Sequence, residues 1–208
     1  MKPTTPAQQE RRDRILVTTR ELLAKRGYEG INMRSLAEAS GVATTTLYNL
    51  YQSKDELILA AMDDLLFSLR PEPGPEDLEV LDRYLLGVKM TSKQLIATPN
   101  YAAAMAQLLF NAEPGSPIVD TMLARNIRID KKLVQALKAE GILQNDIDVN
   151  LVSRRIAGAA WMNTFMWMKG FVALHEYETE YLRAFIDLLS AYATQKGREA
   201  LRTRRPVS

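Results

Sequence analysis

The sequence contains no cysteine and only one histidine, His175, among its 208 residues. Without cysteine the chain cannot form a disulfide, a thiolate metal site or a cysteine nucleophile, and it suits a reducing compartment. It also lacks the GxGxxG, phosphate-loop, GxSxG and HExxH patterns, and no serine or cysteine partner stands near His175. These absences predict a protein that is not an enzyme and that uses no metal and no cofactor.

Long apolar runs are also missing. The nearest approach, residues 156–174, is interrupted by Asn163, Thr164 and Lys169, whereas a membrane span needs roughly 18 to 20 predominantly apolar residues. We interpret this segment as a helix buried within the protein. The polar stretch 1–10 lacks the apolar core of a secretory signal, so we expect a cytoplasmic protein that makes no membrane contact.

The residues that are present fit an ordinary globular chain. Hydrophobic residues make up 47% and charged residues 25% of the sequence, and the length suits one core with a small appended head. The net charge of +2 is not diagnostic, but residues 1–54 carry nine Lys or Arg and five Asp or Glu. Arg11, Arg12 and Arg14 are interleaved with acidic residues, so we interpret these three as a solvated face.

Helix signals follow one another along the whole chain, and no segment alternates as a strand would. Residues able to cap an open backbone N–H stand at Thr5, Asn32 and Ser53. Three prolines and a glycine at 70–75 mark a boundary. The spacing of apolar residues between such signals predicts helices at about 6–27, 33–39, 44–50, 53–69, 76–97, 100–111, 117–140, 149–172 and 178–196. The fold class is therefore all-α.

The end of the chain is rich in basic residues, and we expect this tail to be frayed. Its basic residues are Lys196, Arg198, Arg202, Arg204 and Arg205.

Ala37, Gly41 and Leu47 have the spacing of a helix-turn-helix. The small Ala37 lets the next helix cross closely, the glycine permits a sharp turn, and Leu47 fixes the crossing angle. The second helix of such a unit lies in the major groove of DNA. The residues on and around it that we expect to meet DNA are Arg34, Ser35, Thr44, Thr45, Thr46, Tyr48, Asn49, Tyr51 and Lys54. Lys54 follows the Ser53 cap, where the helix dipole favours a phosphate.

The segment 27–57, GYEGINMRSLAEASGVATTTLYNLYQSKDEL, resembles the DNA-binding head of the TetR family of transcriptional regulators. Two positions depart from the family pattern: Asn32 replaces the usual threonine, and Ala43 replaces a serine that often caps the recognition helix. We expect Thr44 to take over that cap and to shift the helix start by one residue.

The resemblance implies a ligand-responsive regulator, most simply a repressor that a small molecule releases from a palindromic operator. It implies a helix-turn-helix domain at 1–54 and a ligand-binding and dimerisation domain at 55–208, linked by the helix 54–69. Two heads of a homodimer would reach successive major grooves of double-stranded DNA about 34 to 36 Å apart.

An apolar stripe on the last predicted helix supports a dimer interface. Its residues are Leu182, Phe185, Ile186, Leu189, Tyr192 and Ala193. The alternative is that this helix and the one before it close the core of their own chain.

An effector pocket should be lined by methionine and aromatic side chains, which suit adaptable apolar cavities. Each of these residues could equally be ordinary core. The candidates are Met90, Tyr101, Met105, Leu109, Met122, Trp161, Met162, Phe165 and Met166. Their shortage of charge predicts a largely apolar or aromatic effector.

Two other interpretations remain open. The pairs Asp146 with Asp148 and Glu178 with Glu180 could hold a metal or act as acid and base, but each stands at a predicted helix start, where carboxylates favour the helix dipole. The second interpretation is a helical small-molecule-binding or scaffold protein that does not bind DNA. It leaves the threonine run 44–46 without a purpose.

Overall fold

The computed structural model of the chain describes residues 5–68 and 79–206, with the side chains of 66–68 excepted. These residues form ten α-helices and a short 3-10 helix, Leu174–Glu176, which confirms the all-α fold class. The helices are α1 Pro6–Arg26, α2 Met33–Ala39, α3 Thr44–Leu50, α4 Lys54–Ser68, α5 Val80–Ala97, α6 Pro99–Asn111, α7 Pro117–Ala139, α8 Val149–Met168, α9 Tyr177–Ser190 and α10 Gln195–Arg202.

The predicted caps set several of these boundaries. Thr5 and Gln8 form the capping box of α1, with the Gln8 N–H donating to Thr5 Oγ1 at 3.3 Å. The Ser35 N–H donates to Asn32 Oδ1 at 2.9 Å, and the Glu56 N–H donates to Ser53 Oγ at 3.1 Å. Each side chain accepts from an N–H that the first helical turn leaves open. The starts of α1, α2 and α4 are therefore local properties of the sequence.

Three residues of the two carboxylate pairs also lie where capping predicts them. Asp148 caps α8 by accepting from the N–H groups of Asn150 and Leu151. Glu178 and Glu180 lie in the first turn of α9. Among the described residues no cluster of three or more His, Asp or Glu could hold a metal ion.

The structure corrects the predicted helix 178–196. Helix α9 ends at Ser190, and a turn separates it from α10. In that turn the Thr194 N–H donates to Ile142 O at 3.0 Å, and the Gln144 N–H donates to Tyr192 O at 3.0 Å. Because the loop after α7 supplies these partners, the backbone need not continue as a helix. Helix α8 also ends at Met168, earlier than predicted.

The prediction of a frayed basic tail is wrong. Thr194 caps α10 and Leu201 is fully buried. Beyond α10, Arg204 binds Asp82 in a bidentate pair and also reaches Glu79, with an Nη2 to Oε2 distance of 2.8 Å. The hydrogen bond from Arg204 holds the pKa of the Asp82 carboxyl below its usual value. These partners lie more than a hundred residues away in sequence, so composition could not reveal them.

The described residues form two compact units. The first contains Met1–Leu69 with Ala97–Val119, where α1 packs against α2, α4 and α6. Its centre is apolar, and Arg20 of α1 adds a polar link by donating to Ala61 O at 2.8 Å and to Asp64 at 2.9 Å. By packing, α4 and α6 therefore belong to the same unit as the helices of the head. The domain boundary at residue 54, which the sequence analysis gives, stays a prediction about function.

The second unit contains Arg70–Ile96 and Asp120–Ser208. Its core draws apolar side chains from α5, α7, α8, α9 and α10, and these shield one another from water. Residues at the centre include Leu137, Val152, Ile156, Phe185 and Leu189, which are all fully buried. No described helix is long and apolar enough to cross a membrane.

A polar chain crosses this apolar core. Tyr84 donates its phenolic hydrogen to Asp130 Oδ1 at 2.9 Å, and the hydroxyls of Tyr84 and Tyr181 lie 3.1 Å apart. A phenol has a single hydrogen, so Tyr181 must donate to Tyr84. Asp130 is only 5% exposed. Burial raises its pKa to about 6, and the hydrogen bond from Tyr84 opposes part of that rise.

We expect Asp130→Asn to make the unfolding free energy less dependent on pH. The carboxyl pKa is 3.8 ordinarily and about 6 in the folded chain, so its stabilising contribution is full below pH 4 and is lost as the pH rises through 6. Asparagine does not ionise, so its contribution to stability does not change with pH. Between pH 4 and pH 7.5 the unfolding free energy of wild type should therefore fall by roughly 2 to 3 kcal/mol more than that of the variant. Urea unfolding at both pH values, with exposed Asp146→Asn as the control, measures this. Parallel profiles for Asp130→Asn and wild type would contradict it.

Candidate nucleic-acid interface

Helices α2 and α3 form the predicted helix-turn-helix. Ala37 is 1% exposed and Leu47 is fully buried, as the close crossing requires. Gly41 has a φ of 65°, a backbone conformation that glycine adopts without steric cost. The Val42 N–H donates to Ala37 O at 3.0 Å across the turn. The same small, flexible and apolar residues that indicated the motif therefore hold it together.

Helix α3 presents its polar residues outward. Thr45, Tyr48 and Asn49 are exposed, while Thr44 and Thr46 are half-buried. The helix begins at Thr44, and Ala43 occupies the cap position without a side-chain hydrogen bond. The expected takeover by Thr44 is therefore wrong, because an alanine cap leaves the helix start unchanged even though it offers no acceptor.

The two candidates on α2 differ. Arg34 is exposed, as a contact to DNA requires. Ser35 is half-buried, and its hydroxyl belongs to the helix cap, accepting from the Asn32 N–H at 3.0 Å and donating to Asn32 O at 2.9 Å. The local structure alone accounts for the Ser35 hydroxyl.

The predicted DNA contact of Tyr51 is wrong. The residue is 6% exposed and belongs to the apolar core of the first unit. Burial raises the pKa of its phenol, and the charge of Arg12 opposes that rise. An aromatic side chain just after α3 fills the space beneath the helix, so its neighbours in sequence point outward while it does not.

Lys54 is held by the chain itself. Its Nζ donates to Tyr28 O at 3.1 Å and to Ile31 O at 3.4 Å, and it lies 3.6 Å from the centre of the Tyr28 ring. The Tyr28 hydroxyl donates to Asp55 at 2.6 Å. Together these contacts join the start of α4 to the loop between α1 and α2. No local sequence signal indicates the partnership with Tyr28, which lies 26 residues upstream.

A second basic side chain also supports the motif. Arg14 donates from Nε to Ser40 O at 3.1 Å, at the end of α2. The interpretation of Arg14 as part of a solvated face is thus incomplete, because its guanidinium braces α1 against the turn of the helix-turn-helix.

The predicted dimer stripe lies in the core of its own chain. Tyr192 is half-buried, and the other five residues are at most 4% exposed. The stripe therefore closes the core of its own chain, as the alternative interpretation predicts for this helix. A stripe of this kind indicates a buried face but does not say whose atoms bury it. On α8, the helix that packs against α9, Met162 is 58% exposed and Gly158 is also exposed.

The predicted pocket residues divide between the two units. Tyr101 and Met105 are buried and Leu109 half-buried on α6 in the first unit. In the second unit Met122 is buried, and exposed Met162 cannot line an enclosed cavity of this chain as predicted. The remaining four are half-buried: Met90, Trp161, Phe165 and Met166.

A cleft of about 280 Å³ in the second unit was not indicated by the sequence. It lies between α5, α9 and the segment after α10, and its lining includes Lys89, Glu178 and Arg204. Its charged lining differs from the apolar pocket that the sequence predicts, and none of the nine predicted pocket residues contributes to it.

Comparison with known proteins agrees with this geometry. A family model described as bacterial regulatory proteins, tetR family, matches residues 15–61. The HTH-type transcriptional repressor KstR2 of Mycolicibacterium smegmatis is 27% identical over 176 residues, covering 81% of this chain and 85% of that protein. KstR, an HTH-type transcriptional repressor of the same organism, is 46% identical over 56 residues, covering 27% of this chain and 28% of that protein.

A solved structure shares the fold over nearly the whole length. The TetR regulator TylP of Streptomyces fradiae has a TM-score of 0.69 and 18% identity, covering 96% of this chain and 92% of that one. The matched segment 15–61 contains the packed helix-turn-helix with its outward polar face. The chain is thus similar to TetR-family transcriptional regulators in its helix-turn-helix head and in its fold, and it is a DNA-binding protein.

Proposed function

We propose that this chain is a transcriptional repressor that binds a roughly palindromic operator as a homodimer and leaves it when a small, largely apolar effector binds. The observation that carries this proposal is the packed helix-turn-helix whose outward face holds Thr45, Tyr48 and Asn49. Relatives that align with most of the chain are named repressors, which favours repression over activation.

The dimer interface in this proposal is the outward side of α8 and α9, which pack against each other. On α8, Gly158 and Met162 are exposed one turn apart, and Ala184 of α9 and Ala191, which directly follows α9, are also exposed. Small residues let a partner helix approach closely, and Met162 supplies an apolar side chain for it to bury. This face replaces the buried stripe as the candidate surface.

We expect Met162→Arg to shift the chain from dimer to monomer, because a charge would have to be buried without a partner at the interface. Sedimentation velocity over a range of concentrations measures the change. The control is Ile129→Arg on α7, where a residue of 47% exposure receives the same charge. If both variants dissociated to the same extent, or if neither dissociated, the assignment of the α8 and α9 face would be contradicted.

Lys54 is proposed to contact a phosphate in addition to bracing the head. Two carbonyls take two of its hydrogen bonds, and an ammonium group has three hydrogens to donate. The group lies at the start of α4, where the helix dipole also favours an anion.

Lys54→Ala should weaken binding to all DNA sequences alike, because a phosphate contact carries no sequence information. The slope of log affinity against log salt concentration should fall by about 0.9, as expected for one lost phosphate contact. Fluorescence anisotropy with duplexes at several salt concentrations measures both. Exposed Lys132→Ala on α7 controls for the loss of charge. A weaker affinity with an unchanged slope would limit Lys54 to bracing the head.

The effector is proposed to meet α6. Tyr101 is 8% exposed, and its hydroxyl makes no hydrogen bond to the described residues. Leaving a buried hydroxyl unpaired costs about 1 to 3 kcal/mol. Burial raises the Tyr101 pKa to about 12, against the opposing charge of Arg20, so the hydroxyl remains a donor at physiological pH. An apolar effector with one oxygen acceptor would satisfy it, beside Met105 on the next turn.

Release by the effector follows from thermodynamic linkage. The small molecule must bind more tightly to a conformation in which the two α3 helices no longer match successive grooves. The helix α4, which follows the head in the chain, is the proposed connection between the two events.

The proposal as a whole is tested on duplexes selected from random DNA. The selected sites should be palindromic, and apolar or aromatic small molecules should release the chain from them in an electrophoretic shift assay. A matched panel of highly charged metabolites should leave the complex intact. Release by the charged panel alone would overturn the effector class, and the absence of any shifted duplex would favour a small-molecule-binding or scaffold protein.

A further inference from the structure

The side chains that α3 offers to DNA have an unusual composition. Helix α3 reads Thr-Thr-Thr-Leu-Tyr-Asn-Leu, and it contains no arginine, lysine, glutamate or aspartate. Arginine or lysine bound to O6 and N7 of guanine is the commonest specific contact in the major groove, and Glu or Asp accepts from cytosine N4. Helix α3 therefore has no charged side chain for reading a G·C pair.

The packing of α3 selects which of its residues face the groove. Leu47 is fully buried and points into the head. Thr45 and Asn49 each lie two residues from Leu47, which places them about 160° away around the helix. Both are exposed and one turn apart. Tyr48, 50% exposed, lies beside them. The centre of the outward face is thus a threonine and an asparagine.

The chemistry of these two side chains matches an A·T pair. The asparagine amide has one acceptor and two donors, which complement N6 and N7 of adenine. The threonine methyl offers an apolar contact to the C5-methyl group of thymine. Arg34, the exposed basic residue of α2, lies on the first helix of the motif, which crosses the backbone rather than entering the groove.

We propose that α3 reads A·T pairs at the centre of each half-site, with Asn49 bound to adenine N6 and N7 and the Thr45 methyl packed on a thymine methyl. This inference rests on the proposed binding to an operator and specifies the bases that the operator presents. The operator half-sites are expected to carry adenine and thymine at the positions α3 covers.

The test uses a duplex selected from random DNA with the full-length chain. Replacing one adenine by 7-deazaadenine removes N7, and replacing one thymine by uracil removes the methyl group, while base pairing is kept. The wild-type chain should bind more weakly when 7-deazaadenine replaces one adenine at the centre of the half-site. Asn49→Ala should bind the natural duplex about 5- to 150-fold more weakly and lose the 7-deazaadenine penalty.

Thr45→Ser removes the methyl group and keeps the hydroxyl. It should bind roughly fourfold more weakly and become indifferent to uracil at one position. The matched control is Asn145→Ala, an exposed asparagine in the loop after α7, which should keep both penalties. Circular dichroism checks that each variant is folded, and both α3 side chains are exposed, so the core is not disturbed.

The two proposals fail in different ways. Palindromic selected sites with G·C pairs under α3, or an Asn49→Ala variant that keeps the 7-deazaadenine penalty, would overturn the A·T inference and leave the repressor proposal intact. Selected sites without inverted symmetry, but with A·T pairs that respond to Asn49, would overturn the dimeric operator and support the reading by α3.

Discussion

The burial of Leu47 determines what this protein presents to DNA. A helix of seven residues is too short to be stable by itself, so α3 exists in its observed orientation because one side chain is anchored in the core of the head. That anchor points the opposite side of the helix outward. The identity of the outward residues, and with it the choice of bases, is thus a consequence of an apolar contact made on the other side.

Basic side chains reinforce this arrangement from within. Arg14 binds a carbonyl at the end of α2, and Lys54 binds two carbonyls of the loop between α1 and α2. A carbonyl that accepts from a charged donor gains more than one bonded to a neutral donor. Part of the positive surplus in residues 1–54 therefore serves the geometry of the head. A count of charges along a sequence does not separate these internal roles from contacts with phosphate.

The features that could be predicted from the sequence are those that depend on neighbouring residues. The caps at Thr5, Asn32 and Ser53 and the turn at Gly41 each act over a few positions, and the structure confirms them. The break after α9 depended on carbonyl and amide groups of a distant loop, which no local pattern records. The dimer interface predicted from the apolar stripe at 182–193 was wrong for another reason, because periodicity reports that a face is buried without identifying what buries it. For the DNA interface, the motif placed Thr45, Tyr48 and Asn49 on the second helix, where the structure shows them exposed, whereas the burial of Tyr51 required coordinates.

The pair between Arg204 and Asp82 has a consequence for how the chain matures during synthesis. It joins residues 122 positions apart, and α10 immediately before it completes the core of the second unit through Leu201. A ribosome must therefore have synthesised α10 before that unit can close, whereas the three helices of the head are synthesised earlier. Until α10 is made, the apolar core of the second unit lacks the side chain of Leu201.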